Sequence, residues 1–575
     1  MAASHTMAAS TPASDSVDAP DATTKEPPTK LHTGFRFWAI MVVLSLVSLL
    51  TALEGTITST VLPSVVVGLN GGDNYIWISN AYLLTAAALQ PMFGQLANVF
   101  GRRWPLIFSA VIFVVGSGIC GGATNMGMMI AGRAIQGVGG SGISVLCEIV
   151  ICDLVPLRER GSYLAFVFGM VAIGSALGPL FGGLLVSYST SGWRWAFYLS
   201  LPVGGLALVL LFAFLHVKYD KSQTLATKLS SLDWLGNAIF IGGTVPILIA
   251  LSWAGGHYSW SSYQVLVPLI VGLATLGGFI VIESNPRLAP NPMMPTYLFT
   301  YSISFIIFLL TFLHGIATFW ALFFLPVYFQ GVLGETPYRS GIMLLPTILA
   351  LLPAAMIGGL LLSKFGRYKP LIIISFALII VGFGLFSILD ENSSTGAWVG
   401  FQVVESVGAG LCIAAFLPAL LAPLSDRDTA LATATWAFMR SFGITWGVAI
   451  AGTVYSNRAA QLAGAGAISD PAVAAGFAAG RAYGYASVEF LDSAPAQTRA
   501  EVVSVQSSAL QRSWQVAIAF GAVGFIAALA LKQIPLRKEL ETNEFGMVEK
   551  SDSPAEETGV AGVEIKEVKA PTSTP

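Results

Sequence analysis

Residues 94–105 read GQLANVFGRRWP, and residues 359–370 read GLLLSKFGRYKP. Both follow the template Gly-x6-Gly-Arg-x-x-Pro at the end of an apolar stretch. A second pair of loops repeats the relation, Pro156-Leu157-Arg158-Glu159-Arg160 against Pro423-Leu424-Ser425-Asp426-Arg427. The displacements are 265 and 267 residues. Two loops recurring at nearly one displacement mean that the chain consists of two related halves.

Outward from these loops the chain is a succession of apolar runs. A membrane-spanning helix needs about 20 mainly apolar residues. Such runs occur near 37–62, 75–97, 105–123, 126–150, 162–187, 195–215, 234–254, 264–283, 300–327, 340–362, 370–389, 398–424, 430–455 and 513–532, which predicts fourteen transmembrane helices. The 575 residues are 55% hydrophobic and 10% charged, against about 25% charged in a soluble domain. No stretch is left for a soluble domain with its own core. The predicted fold is all-α and polytopic, two six-helix halves with helices 7 and 8 inserted between them. The N-terminal half occupies 35–217, the linker with the inserted helices 218–298, and the C-terminal half 299–534, including a long outer loop at 456–512. Repeated halves of this kind are characteristic of secondary transporters, whose site lies between the halves near the bilayer midplane.

Short cytoplasmic loops hold the excess of Lys and Arg. With residue 1 cytosolic, the inner loops carry Arg102, Arg103, Arg158, Arg160, Lys218, Lys221, Lys228, Arg287, Lys364, Arg367, Lys369 and Arg427. The short outer loops carry only Arg194 and Arg339. One miscounted helix would invert every later loop, so the asymmetry supports both the count and cytosolic termini. The segment 456–512 is outside this argument, because long loops contribute little to orientation.

The remaining features bound function by exclusion. A net charge of -2 gives no reason to invoke nucleic acid. The first 34 residues lack the basic-then-apolar layout of a signal peptide and read, like 535–575, as a disordered cytosolic tail. Cys120, Cys147, Cys152 and Cys412 sit in or beside apolar segments without zinc or disulfide spacing, so they read as packing residues. There is no Gly-x4-Gly-Lys-Ser/Thr loop for ATP. One intramembrane His and scattered acids argue against an embedded enzyme. No cofactor or metal is expected.

The chain resembles the fourteen-helix drug:proton antiporter family of the major facilitator superfamily, particularly its fungal efflux pumps. The resemblance runs over roughly 36–535. It rests on Leu53-Glu54-Gly55-Thr56-Ile57 through Leu62-Pro63 in helix 1, on Gly94-Gln95-Leu96-Ala97-Asn98 with Gly101, Arg102 and Arg103 after helix 2, and on Arg133 with Gln136-Gly137 in helix 4. Helix 5 adds Gly174, Gly178-Pro179 and Gly182-Gly183, a pattern associated in that family with export. Two positions depart from the usual pattern: Asn98 stands where the loop motif has Asp, and Glu54 where Asp is frequent. The resemblance implies proton-coupled efflux of drugs, toxins or secondary metabolites by a monomer in the plasma membrane, the vacuolar membrane being the lesser alternative.

Ionisable groups inside a bilayer are functional suspects. The predicted helices contain Glu54, Arg133, Glu148, Glu405 and Arg440. At about 1.5 Å per residue, Glu54 and Arg133 lie roughly 13 and 11 Å from the outer ends of helices 1 and 4. That matching depth predicts a pair able to carry proton coupling, or else a static tie between the helices. Glu405 and Arg440 match in depth as well and are a second candidate pair. Glu148 lies near the inner end of helix 4 and reads as structural. His314 reads as a hydrogen-bonded core residue. Gly174, Gly178 and Gly182, four residues apart, form a smooth helix face, and Pro179 bends that helix.

Trp77, Tyr82, Phe319, Trp320, Phe323, Phe324, Tyr328, Trp436 and Phe438 are candidates to line a cavity for flat apolar substrates. Helices 9 and 10 hold few polar side chains, among them Thr311, His314 and Gln330. Moderately hydrophobic, partly aromatic substrates are therefore expected rather than polyanions. A proton-coupled importer of a siderophore or sugar is the alternative on the same fold. Asn392-Ser393-Ser394 is a glycosylation sequon close to the membrane.

Overall fold

The computed structural model describes residues 34–69, 76–189, 191–216, 224–254 and 258–537. The predicted tails, 1–34 and 535–575, lie outside the described residues except for Gly34 and 535–537. The N-terminal half contains α1 (Phe35–Gly68), α2 (Ile76–Ala88), α3 (Gln90–Phe100), α4 (Arg103–Gly121), α5 (Met126–Leu154), α6 (Arg160–Tyr188), α7 (Trp193–Tyr198) and α8 (Ser200–Phe214). The short α9 (Leu225–Ser230) leads into an inserted hairpin of α10 (Trp234–Trp253) and α11 (Tyr263–Glu283). The C-terminal half contains α12 (Ser302–Gly331), α13 (Pro337–Met343), α14 (Leu345–Phe365), α15 (Lys369–Phe386), α16 (Thr395–Leu421), α17 (Thr429–Leu462), α18 (Pro471–Ala478), α19 (Val488–Ser493) and α20 (Ala496–Ala530).

Among the described residues, twelve helices are long and apolar enough to cross a membrane. The other two predicted spans are helical as well. The stretch 75–97 is divided at Leu89 into α2 and α3, with Pro91 in the first turn of α3. A proline has no N–H for the preceding turn, so the helix breaks there. The stretch 430–455 lies within α17, whose apolar residues are diluted by Thr, Ser, Gly and Arg440. One boundary needs correction. The last helix begins at Ala496, not near 513, α17 runs on to Leu462, and the short α18 and α19 lie between them, so the predicted loop 456–512 is largely helical at its two ends. That segment is rich in alanine, the strongest helix former, and its polar residues hide the helix from a reading based on apolar runs.

The repeated loops have a common backbone cause. Gly101 closes α3 at φ 76° and Gly366 closes α14 at φ 66°. Side chains are strained in that left-handed region, so glycine recurs there in both halves.

The halves meet at the end that carries the basic loops. A Cβ at Gly94 of α3 would lie 2.4 Å from Ala434 Cβ of α17, and one at Gly359 of α14 would lie 2.8 Å from Ser162 Cα of α6. Arg158 fastens the same seam, donating to the carbonyls of Ser363 at 2.5 Å and Lys364 at 2.6 Å. The inserted hairpin touches both halves. On one side Asn80 of α2 donates to Ser252 of α10, and Asn237 donates to Gln95 of α3 at 3.1 Å. On the other, Trp260 donates to Thr453 of α17 at 2.5 Å, and the Phe240 ring lies 4.8 Å from that of Phe438.

Candidate functional site

A polar cluster lies within the N-terminal half, where α1, α2, α4, α5 and α8 converge. Glu54 and Arg133 are fully buried, with Arg133 Nη1 3.8 Å from Glu54 Oε1. Ser200, the first residue of α8, donates to the other carboxylate oxygen. Arg133 also donates to the Ile78 carbonyl at 3.0 Å and to the Gln136 side chain, which in turn donates to Ser117 at 2.7 Å. Its guanidinium lies 4.5 Å from the centre of the Tyr82 ring, within cation–π range. The structure therefore brings the predicted pair together, joins to it Gln136 of the helix 4 motif, and adds Ser117 and Ser200, which the sequence reading left unmarked. A buried ionisable group without partners is severely disfavoured, and this network supplies partners to both groups inside an apolar bundle.

The glycine face of α6 turns out to serve the same cluster. A Cβ at Gly174 would lie 2.4 Å from the Leu49 carbonyl oxygen of α1, and one at Gly178 would lie 2.0 Å from Thr56 Oγ1 and 2.8 Å from Ile57 N. Gly182 is 3.1 Å from Ile57 by the same measure, whereas Gly183 meets only Thr60 Cγ2 at 4.0 Å. Gly174, Gly178 and Gly182 thus press α6 against the stretch of α1 that carries Glu54. The Pro179 side chain lies outside the described residues.

Between the halves is a cavity of about 420 Å³. Ser48, Thr51, Tyr82, Glu148, Phe168 and Ser175 line it from one half, and Thr311, His314, Phe319, Glu405, Phe416, Trp436 and Arg440 from the other. Here the second predicted pair is corrected. Arg440 does not pair with Glu405; its Nη2 donates to Glu148 Oε1 across the seam at 2.7 Å. Glu405, which also lines the cavity, is buried where Gly382 of α15 packs on its Cα and Cβ, and Ser406 donates to it at 3.3 Å. Matching depth placed both groups at the right height, but the rotation of α17 aims Arg440 at α5. Glu148, read as structural near the inner end of helix 4, is the acid of this inter-half pair.

Arg440 is further held between Trp436, at 4.5 Å, and Phe168, at 5.1 Å. Removing one partner of a buried ion pair costs on the order of 3–5 kcal/mol; the Arg440 side chain is 21% exposed, which places the cost at the lower end. Arg440→Ala is expected to lower transport about tenfold, and the exchanged pair Glu148→Arg with Arg440→Glu to recover part of it. An exchange no better than the single variant would show that the pair itself is not what matters.

The loop-motif residues are dispersed. Gly94 sits in the seam and Gly101 supplies the turn. Arg102 is buried and bonds Asp153 at 2.6 Å and the Ala97 carbonyl at 3.0 Å, while Arg103 donates to the Phe212 carbonyl at 2.9 Å. Asn98 is exposed. The acid that holds this loop is therefore Asp153, which sequence reading missed because it falls just past the predicted end of helix 4. His314 donates to the Ala409 carbonyl at 3.0 Å while lining the cavity. The four cysteines are free and buried. Asn392 is exposed. Of the aromatic candidates, Tyr82, Phe319 and Trp436 line the cavity, whereas Trp320 and Phe324 are buried within the C-terminal half.

With this geometry in hand, the likeness to known proteins is consistent throughout. The profile of the Major Facilitator Superfamily matches residues 44–448. An MFS-type transporter, pydD, of Acremonium sp is 54% identical over 550 residues, covering 94% of this chain and 95% of that protein. An MFS-type efflux transporter, ffsH, of Aspergillus flavipes is 42% identical over 525 residues, covering 91% and 89%. The crystal structure of the human organic anion transporter MFSD10 aligns with a TM-score of 0.57 at 13% identity, covering 85% of this chain and 99% of that one, a likeness of fold alone. Two pseudo-repeated helical halves, a cavity between them and a matching profile over most of the membrane region have one reading: the chain belongs to the major facilitator superfamily.

Proposed function

We propose that the chain exports moderately hydrophobic, partly aromatic small molecules, such as drugs, toxins or secondary metabolites, across the plasma membrane in exchange for protons. The observation that carries this reading is the cavity. Its volume of about 420 Å³ falls within the range of about 300–1,000 Å³ typical of small-molecule sites. Its walls are mainly apolar and aromatic, and the Glu148–Arg440 pair neutralises itself. Such a lining suits an amphiphile better than a sugar, which wants many convergent amides and hydroxyls. The efflux relative supports the direction. One chain already encloses the cavity, so the proposed working unit is a monomer.

With the basic loops in the cytosol, the close-packed seam at Gly94, Gly359 and Arg158 lies on the inner side, which supports reading this as an outward-facing state. Glu54 is fully buried in this state. Proton exchange with either side then requires α1, α2 and α6 to move, which is how a titrating carboxylate next to Arg133 becomes coupled to alternating access. Deleting the gene and comparing metabolites in cells and medium tests the proposal. An amphiphilic compound should accumulate in the cells and disappear from the medium; loss of uptake of a polar nutrient with no export defect would refute it.

A further inference from the structure

Resting on the efflux reading, a second chamber adjoins the central cavity. It has a volume of about 560 Å³ and lies between α2, α10, α12 and α17. Ala86, Phe319 and Ile444 line both spaces, so the two are neighbours through a common wall. Its far side is supplied by the inserted hairpin, through Leu251, Ser252 and Ala254 at the end of α10. Tyr483, from the segment between α18 and α19, borders it as well.

The position of the chamber follows from how the hairpin is attached. At the level of Ser252, the hydrogen bond from Asn80 ties α10 to the N-terminal half, and the one from Trp260 to Thr453 ties the hairpin to the C-terminal half. The hairpin thus spans the lateral gap between α2 and α17, away from the closed seam at Gly94. Without it, this gap would open sideways toward lipid. The chamber wall alternates apolar groups such as Leu83 and Phe323 with Ser79, Ser441 and Thr445. That mixture suits a compound with an apolar body and a few polar groups, which makes few demands on orientation.

We propose that this chamber is a second substrate site on the exit route, walled by the inserted hairpin, and that Ser252 and its neighbours on α10 help to determine which amphiphiles pass. Two arms test it, with rhodamine 6G as the transported probe. In reconstituted vesicles, Ser252→Trp, which fills the chamber, should lower dye export at least tenfold. Val267→Trp, on the 55% exposed face of α11, should leave export unchanged. Export by Ser252→Trp equal to the wild type would overturn the inference. In the second arm, Ser252→Cys is treated in intact cells with a membrane-impermeant maleimide; the native cysteines are buried and give a low background. Labelling from outside, slowed by saturating dye, supports the chamber, and absence of labelling overturns it. A wild-type chain that moves no dye counts against the efflux reading itself, and the labelling arm then decides the chamber alone.

Discussion

Glu54→Gln is expected to lower proton-driven transport at least tenfold while leaving a folded, membrane-inserted protein. The amide keeps the shape of the side chain and can still accept from Ser200. It cannot take up and release a proton. Arg133 loses its counter-charge at 3.8 Å, but the Ile78 carbonyl, the Gln136 side chain and the Tyr82 ring continue to hold it. The loss should therefore fall on coupling before it falls on folding. Size-exclusion profiles and thermal melts report the fold, and the dependence of transport on an imposed pH gradient reports coupling. A Glu54→Gln protein whose transport still follows the gradient would remove this carboxyl from the mechanism.

Gly174→Leu is expected to abolish export, whereas Gly183→Leu, in the same motif, should transport within about twofold of the wild type. The difference is steric. A Cβ at Gly174 would stand 2.4 Å from the Leu49 carbonyl oxygen, a backbone atom that cannot rotate away, while Gly183 has 4.0 Å to its nearest neighbour. Overpacking a close contact typically costs about 1–3 kcal/mol, and here the strain falls on the part of α1 that presents Glu54. Equal loss at both positions would mean that the motif acts through something other than its contact with α1.

How much of this was legible in the sequence depended on what kind of information each feature needs. Twelve of the fourteen predicted spans follow from apolar length, and the two-fold repeat from glycines whose positive φ excludes side chains; both are written locally. The Glu54–Arg133 pair was legible because depth and a family motif agreed. The Glu405–Arg440 pairing failed because depth fixes height along a helix but not the direction a side chain faces, and the rotation of α17 is set by packing across the seam. Asp153 was missed because it falls just past the predicted end of helix 4, and Ser200, inside predicted helix 6, because a hydroxyl carries no charge to mark it in an apolar run. That the hairpin bridges both halves is a fact of tertiary packing that no single segment records.

The central claim is that an outwardly directed substrate flux is driven by inwardly directed protons. Inside-out vesicles test it most directly, using the compound identified by comparing deletion and parent cells. With the lumen acidic, the account predicts that the compound accumulates in the lumen, that accumulation collapses when an ionophore dissipates the gradient, and that Glu54→Gln abolishes the response. Accumulation that is indifferent to the gradient, or that appears only with the lumen alkaline, would contradict it.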